Sequence, residues 1–150
     1  MCFDSDSCLK VIIVKDLPSP LRNHHPHAIV SGGFVFVSGL VSQLDSSGNR
    51  FGVSIADGMA YHNIEDQLNS IFKQLDQILE KCGSSKNLVV DVQVFLKDMQ
   101  NTFKRMETVY SQYFGSHTPA RTTVEVVGFP SDVVVELKVT AACIKEPGAS

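Results

Sequence analysis

The sequence has no apolar run approaching the roughly 18 residues that a membrane-spanning helix needs, so we do not expect an integral membrane protein. It also lacks an excess of basic residues: 13 Lys and Arg stand against 16 Asp and Glu, for a formal net charge of -3. Proteins that bind polyanions usually carry a basic face, so nucleic acid is not an expected partner. Residues 1–10 are polar and acidic and lack the layout of a signal peptide, which favours a cytoplasmic protein.

Residues that could hold a metal are few and poorly spaced. The four cysteines form no Cys-x-x-Cys pair and are scattered: Cys2, Cys8, Cys82 and Cys143. Free thiols in a reducing cytoplasm are the simplest interpretation of them. Three histidines, His24, His25 and His27, lie in a loop broken by proline, without the i, i+4 helical spacing typical of zinc ligands. We therefore expect no metal site.

The sequence does have enough apolar residues for one folded domain. Apolar residues make up 43% and charged residues 19% of the 150 positions, so we interpret residues 1–150 as a single domain with a sizeable core. Pro18 and Pro20 interrupt the first apolar segment, because proline cannot donate to a strand ladder. Residues 1–20 are therefore expected to form an irregular N-terminal extension.

Periodicity predicts two helices and six strands. Apolar side chains at spacings of three and four predict a helix from Ile64 to just before Gly83, and a second over about residues 101–114. Val90 is expected on the buried face of its strand, and Gln74 on the polar face of the first helix. The order β-β-β-α-β-α-β-β is typical of an α+β domain with two helices on one face of a mixed sheet. The predicted strands are 11–14, 28–30, 34–37, 88–97, 121–127 and 133–142, with a turn at 32–33 and a polar loop at 42–52.

Two of the predicted strands are apolar on both faces. Residues 34–37 read Phe-Val-Phe-Val, and residues 133–135 read Val-Val-Val. A sheet with helices on one side only normally shows one polar face, and two helices cannot cover both. We therefore expect the second face to pack against other copies of the chain.

Four segments carry a family resemblance. They are Phe34-Val-Phe-Val-Ser-Gly39, Val94-Phe-Leu-Lys-Asp98, Pro119-Ala-Arg-Thr-Thr-Val-Glu125 and Phe129-Pro-Ser-Asp-Val-Val-Val-Glu136. In this order they resemble the RidA/YjgF family of enamine and imine deaminases, over residues 25–144. Within the family, the closest resemblance is to the 2-aminomuconate deaminase branch. It rests on the Pro26-His27 step before the hairpin, the Arg-Thr-Thr-Val run, and the acidic residue and lysine at Glu136 and Lys138.

The resemblance implies a fold, an assembly and a site. The fold resembles the small trimeric chorismate mutase type, and the homotrimer would have three clefts between subunits, with no metal or organic cofactor. In each cleft, Arg121 would grip the carboxylate of a small-molecule substrate and Glu136 would lie near a water. The other matching positions are Ser38, Gly39, Phe103, Thr123, His25 and Glu107. The last two depart from the family, which commonly has tyrosine and asparagine there, and a carboxylate at residue 107 could repel an anionic substrate.

These residue types suit the hydrolysis of a 2-imino acid, in which water adds to the imine carbon and ammonia leaves. The planar fork of an arginine matches a carboxylate with two hydrogen bonds, and a glutamate can orient or deprotonate water. Each residue also has a structural alternative. Arg121 could be a surface residue at a strand start, Glu136 could form an ion pair with Lys138, and the Ser38 hydroxyl could be satisfied locally.

A role without catalysis is the alternative function. Some members of the family are described as translation inhibitors, ribonucleases or chaperone-like proteins, so an RNA-directed or binding role stays open here. The net charge of -3 and the lack of a basic stripe with interleaved aromatics weigh against RNA.

Overall fold

The computed structural model describes residues 9–18 and 24–144. Its helices are α1 (Ile64–Lys81) and α2 (Met99–Phe114), and a short 3-10 turn at Lys86–Leu88 follows α1. Its strands are β1 (Lys10–Ile12), β2 (Ala28–Ser31), β3 (Phe34–Val37), β4 (Val53–Ala56), β5 (Met59–His62), β6 (Val89–Leu96), β7 (Ala120–Glu125) and β8 (Val135–Ala142).

Six strands form one mixed sheet in the order β1-β2-β3-β8-β6-β7. Neighbouring strands pair antiparallel except β6 and β7, which run parallel because α2 carries the chain back between them. β4 and β5 form a separate two-stranded sheet. The mixed sheet with two helices confirms the α+β prediction.

Helix α1 begins where the sequence predicts, because Asn63 caps it. The Asn63 side chain accepts a hydrogen bond from the backbone N–H of Asp66. The helix ends before Gly83, whose φ of 66° lies in the left-handed region that favours glycine. Its apolar stripe is buried against the sheet and α2, at Ile64, Leu68, Ile71, Leu75, Ile78 and Leu79.

The helices cover one face of the six-stranded sheet. On that face Val35 of β3, Val92 of β6 and Leu137 of β8 have 0% exposure. Alternate residues point to the opposite side, where Phe34 and Phe36 are 43% and 44% exposed. We call this second side the open face. By strand register its apolar residues are Val11, Ile29, Phe34, Phe36, Phe95 and Val124.

The hairpin of β4 and β5 is absent from the predicted element order, which was wrong at this point. Asp57 and Gly58 form its turn, with φ of 50° and 74°. An Asp-Gly pair with both residues at positive φ is a strong hairpin signal, because the turn twists in the same sense as its strands. The flanking strands gave little periodic signal, since residues of both faces are exposed, as with Ile55 at 69%.

The prediction that Val90 lies on the buried face of its strand was wrong. β6 pairs with β8 through a register shift between Val89 and Asp91, typical of a β-bulge. The extra residue reverses the alternation locally, so Val89 is buried and Val90 is 41% exposed.

The prediction that Gln74 lies on the polar face of α1 was also wrong. It lies in the buried stripe of α1, where its side-chain amide donates to the carbonyl of Val41.

The bounds of the elements differ from the predicted bounds by up to two residues: β1 ends at Ile12, α2 begins at Met99, and β8 begins at Val135. The extension predicted for residues 1–20 is described only over residues 9–18, and strand β1 lies within that part.

Candidate functional site

Glu136 lies on the open face of β8, against Gly39 at the end of β3. An ideal Cβ built on Gly39 would lie 2.1 Å from Glu136 Oε1, so only a glycine leaves room for the carboxylate there. Reciprocal backbone hydrogen bonds between Leu40 and Leu137 hold the two segments together. Partial burial raises the pKa of Glu136 above its ordinary value, which improves the carboxylate as a proton acceptor near neutral pH.

The carbonyl oxygen of Pro26 contacts both Ser38, the residue before Gly39, and His25. The Ser38 hydroxyl donates to the carbonyl oxygen of Pro26 at 2.7 Å, and His25 Nδ1 lies 3.2 Å from the same oxygen. The alternative of a locally satisfied Ser38 hydroxyl therefore agrees with the geometry. Within the described residues, Glu136 forms no ion pair with Lys138, whose ammonium donates to the Val37 carbonyl at 3.3 Å.

The remaining histidines of the loop have separate positions. His27 is buried, and its Nδ1 accepts a hydrogen bond from the backbone N–H of Val14 while Nε2 donates to the carbonyl of Pro18. His24 is exposed. Residues 9–18 and 24–144 contain no group of three His, Cys, Asp or Glu side chains that could hold a metal ion.

Arg121 lies on the other side of the sheet. On edge strand β7 it is in register with Val92, whose side chain is buried beneath the helices, so Arg121 points toward α2. Its guanidinium carbon lies 4.7 Å from the centre of the Tyr110 ring, at cation–π distance. Its Nη1 lies 2.5 Å from Glu107 Oε1. The surface-residue alternative for Arg121 does not fit, because its side chain is only 25% exposed.

Polar atoms without a hydrogen-bond partner are concentrated around Arg121. In the described part of the chain five buried side-chain polar atoms lack one, and three of them belong to Glu107, Tyr110 and Thr123. Glu107 Oε1 is nonetheless ion-paired with Arg121, so the Tyr110 and Thr123 hydroxyls are the atoms of this cluster left without a partner. Thr123 follows Arg121 on the same face, about 7 Å along the strand. Such groups normally find partners, so their grouping marks a place suited to a polar ligand.

Two aromatic side chains of α2 complete this cluster. Phe103 lies one helical turn before Glu107 and is 37% exposed. Tyr110 follows Glu107 by three residues, and burial raises the pKa of its phenol to about 12, so it stays neutral. The sequence identified Tyr110 only as a core residue, although its spacing from Glu107 was a signal for a site position.

A shallow cavity of about 400 Å³ opens beside Arg121. It runs along the C-terminal end of α2 and is lined there by Tyr110, Phe114, His117 and Pro119. Neither Glu136 nor Gly39 lines it.

The predicted site residues form two groups within one chain. Strand register aligns Glu136 with Phe95 and Phe95 with Val124, and Arg121 precedes Val124 by three residues. Side chains alternate between the two faces of a sheet, and three is an odd number of residues. Arg121 therefore points to the opposite face from Val124 and Glu136, and the backbones of Arg121 and Glu136 lie about 14 Å apart by strand geometry. One small molecule cannot touch both side chains of the same chain. The Arg121 group comprises the predicted residues Arg121, Thr123, Glu107 and Phe103, to which the structure adds Tyr110. The Glu136 group comprises Glu136, Gly39, Ser38 and His25.

Comparison with known proteins decides the family. A family model described as Endoribonuclease L-PSP matches residues 15–143. This chain belongs to the RidA/YjgF family. It is similar to a RutC family protein of Pyrococcus horikoshii, with 36% identity over 88% of this chain and 96% of that protein. A RutC family protein of Synechocystis is 34% identical over 89% of this chain and 95% of that protein.

Solved structures of similar proteins share the fold. The yeast YEO7 protein superimposes with a TM-score of 0.76 and 28% identity, over 91% of this chain and all of that one. A Rid family protein of Yersinia pestis gives 0.76 and 27%, over 90% and 99%. In the described part of the chain, neither helix is long and apolar enough to cross a membrane.

Proposed function

We propose that this RidA/YjgF protein is a hydrolytic deaminase of small, reactive 2-enamino and 2-imino acids. It releases ammonia and a 2-oxo acid. One observation carries the proposal: Arg121 is held by Tyr110 and, through Nη1, by an ion pair with Glu107, while its Nε and Nη2 groups donate no hydrogen bond to any described residue. A fixed guanidinium with uncommitted N–H groups is suited to bind a substrate carboxylate in two parallel hydrogen bonds.

The chemistry follows from the two groups of residues. The enamine first tautomerises to the imine, whose carboxylate is held by Arg121. Glu136 accepts a proton from water as the water oxygen bonds to the imine carbon, and returns that proton to the nitrogen. The resulting tetrahedral adduct passes its hydroxyl proton to the nitrogen and loses ammonia, which leaves the 2-oxo acid. The raised pKa of Glu136 favours this proton transfer. Holding substrate and water in place supplies the larger share of the acceleration.

The site needs two copies of the chain. Because Arg121 and Glu136 face opposite sides of one sheet, we propose that one subunit supplies the Arg121 group and its neighbour the Glu136 group. A homotrimer with three such clefts accommodates this arrangement. The apolar open face supports it, since exposed side chains such as Phe34 and Phe36 would be buried between copies.

Within the substrate class, 2-aminomuconate is one specific candidate, supported by the resemblance in sequence. It carries a second carboxylate, and Lys138 lies two residues after Glu136 on the same open face. Among the residues that the structure describes, the Lys138 ammonium makes one hydrogen bond, to the Val37 carbonyl, which leaves donors for that carboxylate. A reducing cytoplasm is part of the same proposal, supported by the free thiols of Cys82 and Cys143.

The proposal is tested by generating 2-aminoacrylate and 2-aminomuconate with coupled enzymes and following their decay. We expect the protein to accelerate the decay of at least one, and Arg121→Ala to lower kcat/KM about a hundredfold or more. Arg105→Ala is the matched control, because Arg105 forms an exposed bidentate pair with Glu65 away from the site. No acceleration, or an Arg121→Ala variant as active as Arg105→Ala, would overturn the proposal. Cleavage of added RNA by the same preparation would favour the RNA-directed alternative instead.

A further inference from the structure

We propose that Glu107 binds the cationic nitrogen of the substrate beside the carboxylate that Arg121 holds. Arg121 and Glu107 then form one recognition unit for a 2-iminio carboxylate, a zwitterion, and disfavour the anionic 2-oxo acid product. This inference rests on the proposed function and names the form of substrate that the site selects.

The geometry of the pair is the first support. Glu107 Oε1 lies 2.5 Å from Arg121 Nη1 and forms an ion pair with it. The second lone pair of this oxygen and the other N–H groups of the Arg121 guanidinium remain available to a ligand. Oε1 is buried although the Glu107 side chain is 41% exposed as a whole, so this oxygen is directed into the cluster and away from solvent.

The charge balance is the second support. A carboxylate that binds to the guanidinium of Arg121 comes within a few ångströms of the Glu107 carboxylate, and like charges at that range repel measurably even near a protein surface. The repulsion is relieved when the ligand brings its own positive charge. A protonated imine on the carbon next to the carboxylate does so, and its N–H groups can donate to Oε1.

Hydrolysis removes the positive charge that Glu107 recognises on the substrate. The iminium carboxylate and water give the 2-oxo acid and ammonium, so the positive charge leaves with the nitrogen. The remaining product offers Glu107 only a carbonyl oxygen, which cannot donate a hydrogen bond. Glu107 thus selects the reactant and promotes release of the product.

A binding comparison without turnover tests the inference. Alanine carries the adjacent ammonium and carboxylate of the reactant head group, and pyruvate is the corresponding 2-oxo acid. We expect the wild-type protein to bind alanine at least tenfold more tightly than pyruvate, measured by calorimetry or ligand-observed NMR. Glu107→Gln should reverse this preference by tightening pyruvate and weakening alanine, each about tenfold.

Two further variants complete the design. Glu107→Asp keeps the carboxylate and should retain part of the preference for alanine. Glu80→Gln removes the same charge from the exposed side of α1 and should leave both affinities unchanged. Equal effects of Glu107→Gln on both ligands, or no preference for alanine in the wild type, would overturn the inference. Because no reaction is followed, failure of the deaminase assay and failure of this comparison are separate results.

Discussion

The carboxylate of Glu136 occupies the space that a side chain at Gly39 would need, with Oε1 2.1 Å from the position of an ideal Cβ. Gly39→Ala therefore displaces Glu136 without straining the backbone, because φ at Gly39 is not positive. We expect kcat/KM to fall at least tenfold with little change in Tm. Gly128→Ala is the matched control, since its Cβ meets no atom within 4 Å. Full activity in Gly39→Ala would show that the Glu136 position is not used.

Glu136 should make the stability of the protein depend on pH. Burial raises its pKa in the folded state, so the stability it contributes is fully present below its unfolded pKa and is lost as pH rises through the folded pKa. At pH 7 the ionised side chain is therefore destabilising. We predict that Glu136→Gln raises Tm by a few degrees at pH 7, and that the difference disappears below about pH 4.

Activity should move in the opposite direction in the same variant. Glu136→Gln removes the proton acceptor and should lower kcat by about a hundredfold or more. The exposed Glu80→Gln serves as the control for both measurements and should change neither. The burial argument would be contradicted if the Tm of Glu136→Gln minus the Tm of the wild type were lower at pH 7 than at pH 4.

Phe36 on the open face should be required for self-association. Wild-type protein is expected to have about three times the chain mass of 16.4 kDa by light scattering. Phe36→Glu places a charge among apolar side chains of the proposed interface and should shift the mass toward the monomer. Asn69→Glu adds the same charge on the exposed side of α1 and should not. A monomeric wild type, or an unchanged mass in Phe36→Glu, would contradict the proposed assembly.

Gln67 should be the most sensitive polar residue of the core. It is fully buried, its amide nitrogen donates to the Gly52 carbonyl, and its oxygen accepts from the Val134 N–H. Gln67→Met keeps the shape but leaves both backbone groups unpaired, so we expect a loss of about 2–4 kcal/mol in the free energy of unfolding. Gln77→Met on the same helix, where the side chain is partly exposed, should cost far less in the same denaturant titration.

The sequence predicted most of the fold because the apolar periodicity of its main elements is strong. Both helices and all six strands of the main sheet appear within two residues of their predicted bounds. The β4–β5 hairpin was missed because its strands bury too little to alternate, although Asp57 and Gly58 carried a turn signal. The predictions for Val90 and Gln74 were wrong because local periodicity does not show tertiary contacts. A bulge in β6 exposes Val90, and the Val41 carbonyl accepts a hydrogen bond from the buried amide of Gln74.

The candidate site could be predicted residue by residue but not in its geometry. Motif resemblance identified Arg121 and Glu136, yet only strand register shows that they lie on opposite faces. The sequence also marked Glu107 as a departure without showing its partner. The contact with Arg121 depends on α2 packing over β7, which no local pattern encodes.

The most direct test of the account is complementation between two inactive variants. Arg121→Ala and Glu136→Gln are co-expressed with different tags, and the mixed assemblies are assayed for imine hydrolysis. In an equal random mixture, half of the chains keep Arg121 and half keep Glu136. If each site combines Arg121 of one subunit with Glu136 of its neighbour, roughly one quarter of the sites have both residues, and roughly one quarter of wild-type activity should be recovered. If both residues act within one chain, every chain carries a defect, and recovery near zero would contradict the account.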